Sequence, residues 1–188
     1  MADVRGRTLD VGCGGGRVAL HLQSQGTSVS AADSSPLAVR AARARGVRNV
    51  RLATVQELGG SVGDFDTLLL FGNNAGIFGG PERLRAVLRH WGRAMGPGAR
   101  ILAESTSPYG GGVPVLDAGY RRANRHKGRM AGQLRLRVRY RRYATPWFSW
   151  LFLSPAELRS VVDDTPWRVL RVHSGAVDDP FVAVLENC

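Results

Sequence analysis

The sequence has little that would place the protein in a membrane, outside the cell or among metalloproteins. No apolar run approaches the roughly 18 residues of a membrane helix, and no apolar stretch follows the N-terminus as in a signal peptide. Two cysteines, Cys13 and Cys188, cannot build a disulfide framework. No Cys/His spacing is typical of a metal site. We therefore expect a cytoplasmic protein with no membrane partner and no metal.

Lysine and acidic residues are also scarce. Lys127 is the only lysine among 26 basic residues, and 15 acidic residues leave a net charge of +11. Residues 121–143 hold ten of the basic residues and no acid, whereas the remainder carries 16 basic and 15 acidic side chains. This basic segment is either a solvated or edge-strand face, or a surface for an anionic substrate, nucleic acid or another polyanion.

The first 120 residues alternate short apolar runs with helical patterns. With 188 residues and 44% hydrophobic content, residues 1–188 are expected to form a single domain. The alternation predicts an α/β fold with a doubly wound, mostly parallel sheet. Strands are predicted at 8–11, 29–32, 50–54, 65–71 and 99–104, and helices at 17–25, 36–46 and 81–95.

The C-terminal part has a different pattern. Residues 133–141 alternate apolar residues with arginines, which predicts a half-buried, inserted basic strand at an edge or in an antiparallel pair. Residues 154–163 carry the Ser154 cap and Glu157 of a helix start. Residues 167–172 and 181–186 are predicted to form an antiparallel hairpin with a short turn, completing seven strands.

A glycine-rich loop follows the first strand. Residues 9–17 read Leu-Asp-Val-Gly-Cys-Gly-Gly-Gly-Arg, so an acid is followed by glycines at every second position. Glycines allow a ligand to approach the backbone, and the following helix offers free N–H groups. The dinucleotide fingerprint G-x-G-x-x-G requires glycine where Arg17 stands, so the loop does not match it.

This loop, with Asp33 at the end of the second strand, resembles the class I S-adenosylmethionine-dependent methyltransferases from Leu9 to about Glu104, with continuation to the hairpin. The resemblance implies a Rossmann-like methyltransferase that uses S-adenosyl-L-methionine. It places Asp10 near the amino end of the cofactor, Asp33 at the ribose hydroxyls and residues 54–58 beside the adenine. Thr54 stands where the family often has Asp. The implied cofactor-binding residues are Asp10, Gly12, Cys13, Gly14, Gly16, Asp33, Ser34, Val55 and Gln56.

Two asparagines follow the fourth strand. Ligands of open parallel sheets bind outside the carboxyl ends of the strands, so we expect Asn73 and Asn74 to line the meeting point of methyl donor and acceptor. The alternative is that both only satisfy a glycine-rich turn. A nicotinamide or flavin cofactor, or a cofactor-binding protein without turnover, are the alternatives to the methyltransferase assignment.

The methyl acceptor is left open by the sequence. Family members commonly recognise the acceptor through insertions such as residues 105–153, where Tyr109, His126 and Trp147 are candidate substrate residues. No general base stands out. We expect a small-molecule acceptor, with RNA or another nucleic acid as the alternative. The oligomeric state is open, and a dimer is compatible with the sequence. The first strand begins near residue 8, so we expect that the cofactor site is either unusually open or covered by a longer N-terminus, another subunit or residues 105–153.

Overall fold

A computed structural model describes residues 2–175 and 180–188. Its main sheet has seven strands in the order β10-β11-β5-β4-β1-β2-β3, with β11 antiparallel to both of its neighbours. The predicted mostly parallel sheet with a C-terminal hairpin is therefore confirmed, although residues 176–179 of the predicted turn lie outside the described residues. These strands are β1 (Thr8–Val11), β2 (Val29–Asp33), β3 (Val50–Leu52), β4 (Thr67–Leu70), β5 (Arg100–Ser105), β10 (Trp167–Ser174) and β11 (Phe181–Asn187).

Helices pack on both faces of the sheet. The helices are α1 (Arg17–Ser24), α2 (Pro36–Ala44), α3 (Val55–Leu58), α4 (Pro81–Ala94), α5 (Ala118–His126) and α6 (Pro155–Val162). Strand β4 shows why both faces are needed. Leu68 and Leu70 join the core beneath α4 and α6, whereas Leu69 joins the core beneath α1 and α2. Alternate side chains of a buried parallel strand enter opposite cores, so apolar residues stand at consecutive positions.

The strand order reverses at β1, which lies between β2 and β4. The loops after β1 and β4 therefore diverge at their carboxyl ends, and a crevice opens between them. The candidate site described below lies there.

The inserted segment differs from its prediction. The single strand expected at 133–141 is divided into β6 (Gln133–Leu136) and β7 (Arg139–Tyr140). Strand β6 pairs with β9 (Phe148–Leu151), and β7 pairs with β8 (Tyr143–Ala144). Leu134 is buried, but Val138 and Tyr140 are exposed because the small core that Leu134 joins ends at Leu136.

Helix α5 within the insertion was not predicted. Asp117 caps its N-terminus by accepting a hydrogen bond from the backbone of Tyr120. Only Asn124 of the helix is buried, so the helix has no apolar stripe for a sequence pattern to reveal. No helix within 2–175 or 180–188 is long and apolar enough to cross a bilayer.

Candidate cofactor and acceptor site

The glycine loop after β1 contains three left-handed residues. Gly12, Gly14 and Gly16 have φ of 72°, 55° and 77°. A Cβ on Gly12 would lie 2.4 Å from Asn74 Nδ2, and one on Gly16 would lie 2.4 Å from Val47 Cγ2. A Cβ on Gly14 would meet nothing within 4 Å. Packing therefore requires two of these glycines, whereas Gly14 presents open backbone at the surface of the loop.

Asp33 joins the end of β2 to this loop. One carboxylate oxygen accepts a hydrogen bond from the Gly14 amide at 2.8 Å, and the other accepts one from the Ser35 amide at 2.8 Å. The side chain is only partly buried. Because a carboxylate oxygen can accept more than one hydrogen bond, Asp33 can hold the loop and still accept hydroxyl hydrogens of a ligand.

The two asparagines hold the loop after β4 in place. Asn74 donates from Nδ2 to the carbonyls of Val11 at 2.9 Å and Gly12 at 3.0 Å. Asn73 has φ of 61°, and its Oδ1 accepts a hydrogen bond from the Thr106 hydroxyl at 2.9 Å. Asn74 thus ties this loop to β1, and Asn73 ties it to the end of β5. Both side chains therefore form hydrogen bonds to other segments of the chain, and Asn74 also borders a cleft.

That cleft has a volume of about 350 Å³ and lies at the carboxyl ends of the first four strands. Six of the predicted cofactor residues line it: Gly12, Asp33, Ser34, Val55, Gln56 and Asn74. The other predicted cofactor residues lie outside the lining: Asp10, Cys13, Gly14, Gly16 and Asn73. The structure therefore brings together the segments after β1, β2, β3 and β4, whereas part of the glycine loop does not line the cleft.

Asp10 is buried beneath the loop, with 2% of its surface exposed. Its carboxylate accepts a hydrogen bond from the backbone amide of Ala19. No donor among the described residues forms a hydrogen bond with the other oxygen, Oδ2. Burial is the main cause that raises the pKa of Asp10 to about 6; the hydrogen bond from the Ala19 amide opposes the rise, the charge of Asp33 adds to it and Arg17 opposes it. The carboxyl group thus takes up a proton within the weakly acidic range.

Cys13 is not poised as a nucleophile. Burial, with smaller contributions from Asp10 and Asp33, raises the pKa of its thiol to about 12. Since the thiolate is the reactive form, the side chain stays an unreactive thiol near neutral pH.

The cleft also contains residues that the sequence did not single out. Trp150 enters it from β9 and Ile77 from the loop after β4. Residues 147–152 read Trp-Phe-Ser-Trp-Leu-Phe, and this aromatic run is the sequence signal for Trp150, although the predicted residue is Trp147. Trp147 lies outside the cleft lining and is 55% exposed, with the Arg137 guanidinium 5.0 Å from its ring centroid.

Thr54 lines the cleft while capping α3. Its hydroxyl accepts a hydrogen bond from the Glu57 amide, and the Glu57 carboxylate receives the Thr54 amide at 2.7 Å. This capping box explains what the threonine does at a position where the resembling family often has aspartate.

The remaining substrate candidates lie away from the cleft lining. The Tyr109 hydroxyl donates to the Glu157 carboxylate at 2.7 Å, and Arg121 and Arg125 stand 5.9 and 5.7 Å from its ring centroid. Burial and the hydrogen bond to Glu157 raise the pKa of Tyr109. His126 is the exposed last residue of α5. Their roles stay predictions.

Comparison with known proteins agrees with this geometry. A family model described as "Methyltransferase domain" matches residues 8–98. A methyltransferase from Bacteroides fragilis, solved with S-adenosyl-L-homocysteine, is 27% identical with a TM-score of 0.75, over 100% of this chain and 74% of that one. A methyltransferase from Methanosarcina mazei is 18% identical with a TM-score of 0.71, over 99% and 95%.

A third similar structure is the magnesium protoporphyrin IX methyltransferase of Synechocystis, solved with bound S-adenosyl-L-homocysteine. It is 16% identical with a TM-score of 0.62, over 99% of this chain and 76% of that one. A search of the curated proteins found no significant match. The matched methyltransferase domain at residues 8–98, the seven-stranded fold and the cofactor product held by the 27% identical structure together support one assignment: a class I methyltransferase fold whose cofactor is S-adenosyl-L-methionine.

Proposed function

We propose that the protein methylates a small-molecule acceptor that enters the cleft beside Trp150 and the loop after β4. The observation that carries the proposal is the composition of the two sides of the cleft. Asp33, Ser34 and Gln56 lie at or after the ends of β2 and β3 and supply polar groups on that side of β1, whereas Ile77 follows β4 and, with Trp150 of β9, supplies apolar surface on the other side. A polar cofactor side and an apolar acceptor side suit a methyl donor and a compact acceptor.

The residues present fit the cofactor. Asp33 retains acceptor capacity for ribose hydroxyls, and Val55 and Leu58 offer apolar surface beside Gln56 for the adenine. Gly14 leaves its backbone side open. Asp10 holds a buried carboxylate whose ionised form would be favoured by a positive amino group nearby. S-adenosyl-L-methionine supplies an electrophilic methyl group on a sulfonium.

The lining suggests catalysis by alignment. Methyl transfer needs the nucleophile, the methyl carbon and the sulfur in line. Asp33 is the only titratable group among the described residues that line the cleft, and two backbone amides already hold it. We infer that the acceptor brings a nucleophile needing little help from a base. Trp150 and Ile77 would position it and exclude water.

The insertion is our candidate for acceptor recognition. Val113, Leu116 and Leu134 form a small core against which Trp150 packs. The rest of the segment 105–153 therefore fixes the position of the Trp150 side chain at the cleft. One structural neighbour is named for magnesium protoporphyrin IX, so this fold is compatible with a small acceptor.

A nucleic-acid acceptor is the second candidate, because most basic side chains of the segment 121–143 are exposed on the same insertion. Transfer of a radiolabelled methyl group from S-adenosyl-L-methionine into a fractionated cell extract tests both. We expect label in the small-molecule fraction, and none with the Asp33→Ala variant. Label that is confined to nuclease-sensitive material would contradict the small-molecule proposal.

A further inference from the structure

Residues 137–147 extend the hairpin of β6 and β9 beyond the pair Leu136 and Phe148, and we call this extension the ribbon. Strands β7 and β8 pair only with each other in the described structure, with Tyr140 opposite Tyr143. The pairing continues to Val138 and Thr145. The Val138 amide donates to the Thr145 hydroxyl at 3.0 Å, and the Thr145 amide donates to the Val138 carbonyl at 3.0 Å. The ribbon is therefore a defined element outside the main sheet.

The ribbon exposes apolar and aromatic side chains. Val138, Tyr140, Tyr143 and Trp147 are 57%, 68%, 64% and 55% exposed. They are close in sequence, and Tyr140 and Tyr143 are cross-strand neighbours whose side chains emerge on the same face. A cluster of exposed aromatic residues on a protruding element marks an interaction surface more often than isolated exposed residues do.

Each aromatic ring of the ribbon has an arginine over it. The guanidinium carbons of Arg137, Arg141 and Arg142 lie 5.0, 5.4 and 5.4 Å from the ring centroids of Trp147, Tyr140 and Tyr143. The fractional exposure of the three rings leaves surface free that their arginines do not cover.

The ribbon's positive charge is not neutralised. Arg137, Arg139, Arg141 and Arg142 are exposed, and in 2–175 and 180–188 none of them forms an ion pair. Arg141 even occupies a left-handed turn position, with φ of 52°, where glycine would be unstrained. Outside residues 121–143 the charges nearly balance, so the protein's positive field is centred on this insertion.

We propose that the ribbon binds single-stranded nucleic acid, independently of which molecule accepts the methyl group. Aromatic side chains on adjacent strands can stack successive unpaired bases, and arginines beside them can bind the intervening phosphates. The repeated pairing of an arginine with an exposed ring matches both needs. An anionic membrane is the less suitable partner, because Val138 is the only large aliphatic side chain that the ribbon exposes.

Fluorescence anisotropy with a labelled single-stranded RNA of about 12 nucleotides tests the proposal, since single-strand sites span roughly 4–16 nucleotides. We expect Tyr140→Ala and Tyr143→Ala each to raise the dissociation constant roughly tenfold, as expected for loss of a stacked base. Tyr140→Phe should bind like the parent because it keeps the ring. Arg139→Gln should lower the salt dependence, by about 0.7 in the slope of log K against log salt.

Matched controls separate the ribbon from general charge and folding. Tyr120→Ala removes an exposed tyrosine outside the ribbon, and Arg40→Gln removes an exposed arginine of α2; neither should change RNA binding. Stabilisation by S-adenosyl-L-homocysteine should persist in all variants, which shows that the main sheet is folded. No RNA binding by the parent, unchanged binding by the Tyr140→Ala/Tyr143→Ala double variant, or tighter binding to phosphatidylserine vesicles than to RNA would overturn the proposal.

Discussion

Asp33 acts at the residue scale on both the loop and the proposed ligand. Removing its carboxylate in Asp33→Ala frees the Gly14 and Ser35 amides and removes the proposed ribose acceptor. We expect affinity for S-adenosyl-L-methionine, measured by calorimetric titration, to fall by roughly ten- to a thousandfold. Asp33→Asn should be nearly as weak, because its NH2 group must face one of the two amide donors. A control variant, Asp64→Ala, removes an exposed acid outside the cleft lining and should bind like the parent. Parent-like binding by Asp33→Ala would contradict the ribose role.

Asp10 gives the fold a pH dependence of known sign. Its folded pKa, about 6, lies above its ordinary value of 3.8, so the folded state holds the proton more tightly than the unfolded state does. This group's contribution to stability is therefore complete below about pH 4 and is lost as the pH rises through 6. A pKa change of this size corresponds to roughly 3 kcal/mol in the free energy of unfolding.

The variant Asp10→Asn isolates this contribution, because its side chain cannot ionise. We expect the unfolding free energy of the variant, relative to the parent, to rise by up to about 3 kcal/mol between pH 4 and pH 7, whatever constant difference the new amide introduces. Denaturant unfolding of both proteins across that range measures it. A difference that does not vary with pH would show that Asp10 is not a buried acid with a raised pKa.

At the scale of elements, two capping boxes with the same hydrogen bonds begin helices that differ in length and in how many apolar side chains they bury. Thr54 with Glu57 begins α3, and Ser154 with Glu157 begins α6. Helix α3 has four residues and borders the cleft, whereas α6 has eight residues and buries three apolar side chains in the core.

This pair makes a controlled comparison. Ser154→Ala should lower the free energy of unfolding by about 1 kcal/mol, in the range of lost helix caps, since α6 packs into the main core. Thr54→Ala should change global stability less, but should weaken cofactor binding because α3 forms part of the cleft wall. Chemical denaturation and calorimetric titration of both variants distinguish the two effects. Equal stability losses in both variants would mean that helix length and packing do not set the cost.

For the whole molecule, cofactor binding is linked to stability. A ligand that binds only the folded state at a hundredfold excess over its dissociation constant stabilises it by about 2.7 kcal/mol. For a chain of this size each kcal/mol raises the melting temperature by roughly 2–4 °C, so S-adenosyl-L-homocysteine should raise it by about 5–10 °C. Nicotinamide dinucleotides should give no shift in the same thermal scan. A shift with nicotinamide dinucleotides and none with S-adenosyl-L-homocysteine would contradict the cofactor assignment.

The sequence by itself determined the main sheet. Apolar runs such as residues 68–71, glycine and proline signals at helix ends, and the spacing from Asp10 to Gly16 are local properties of the chain. Each arises from backbone sterics or from burial on two faces, so five parallel strands and the final hairpin could be predicted. The predicted residues of the cleft lining came mainly from the family resemblance.

Tertiary structure decided the rest, because contacts between distant residues have no local pattern. Trp150 reaches the cleft only because β9 pairs with β6, whereas its neighbour Trp147 lies in solvent. The alternating run after residue 133 was predicted to be half-buried throughout, but the small core that Leu134 joins extends only to Leu136. Alternation shows which side chains share a face, whereas burial depends on whether another part of the chain covers that face.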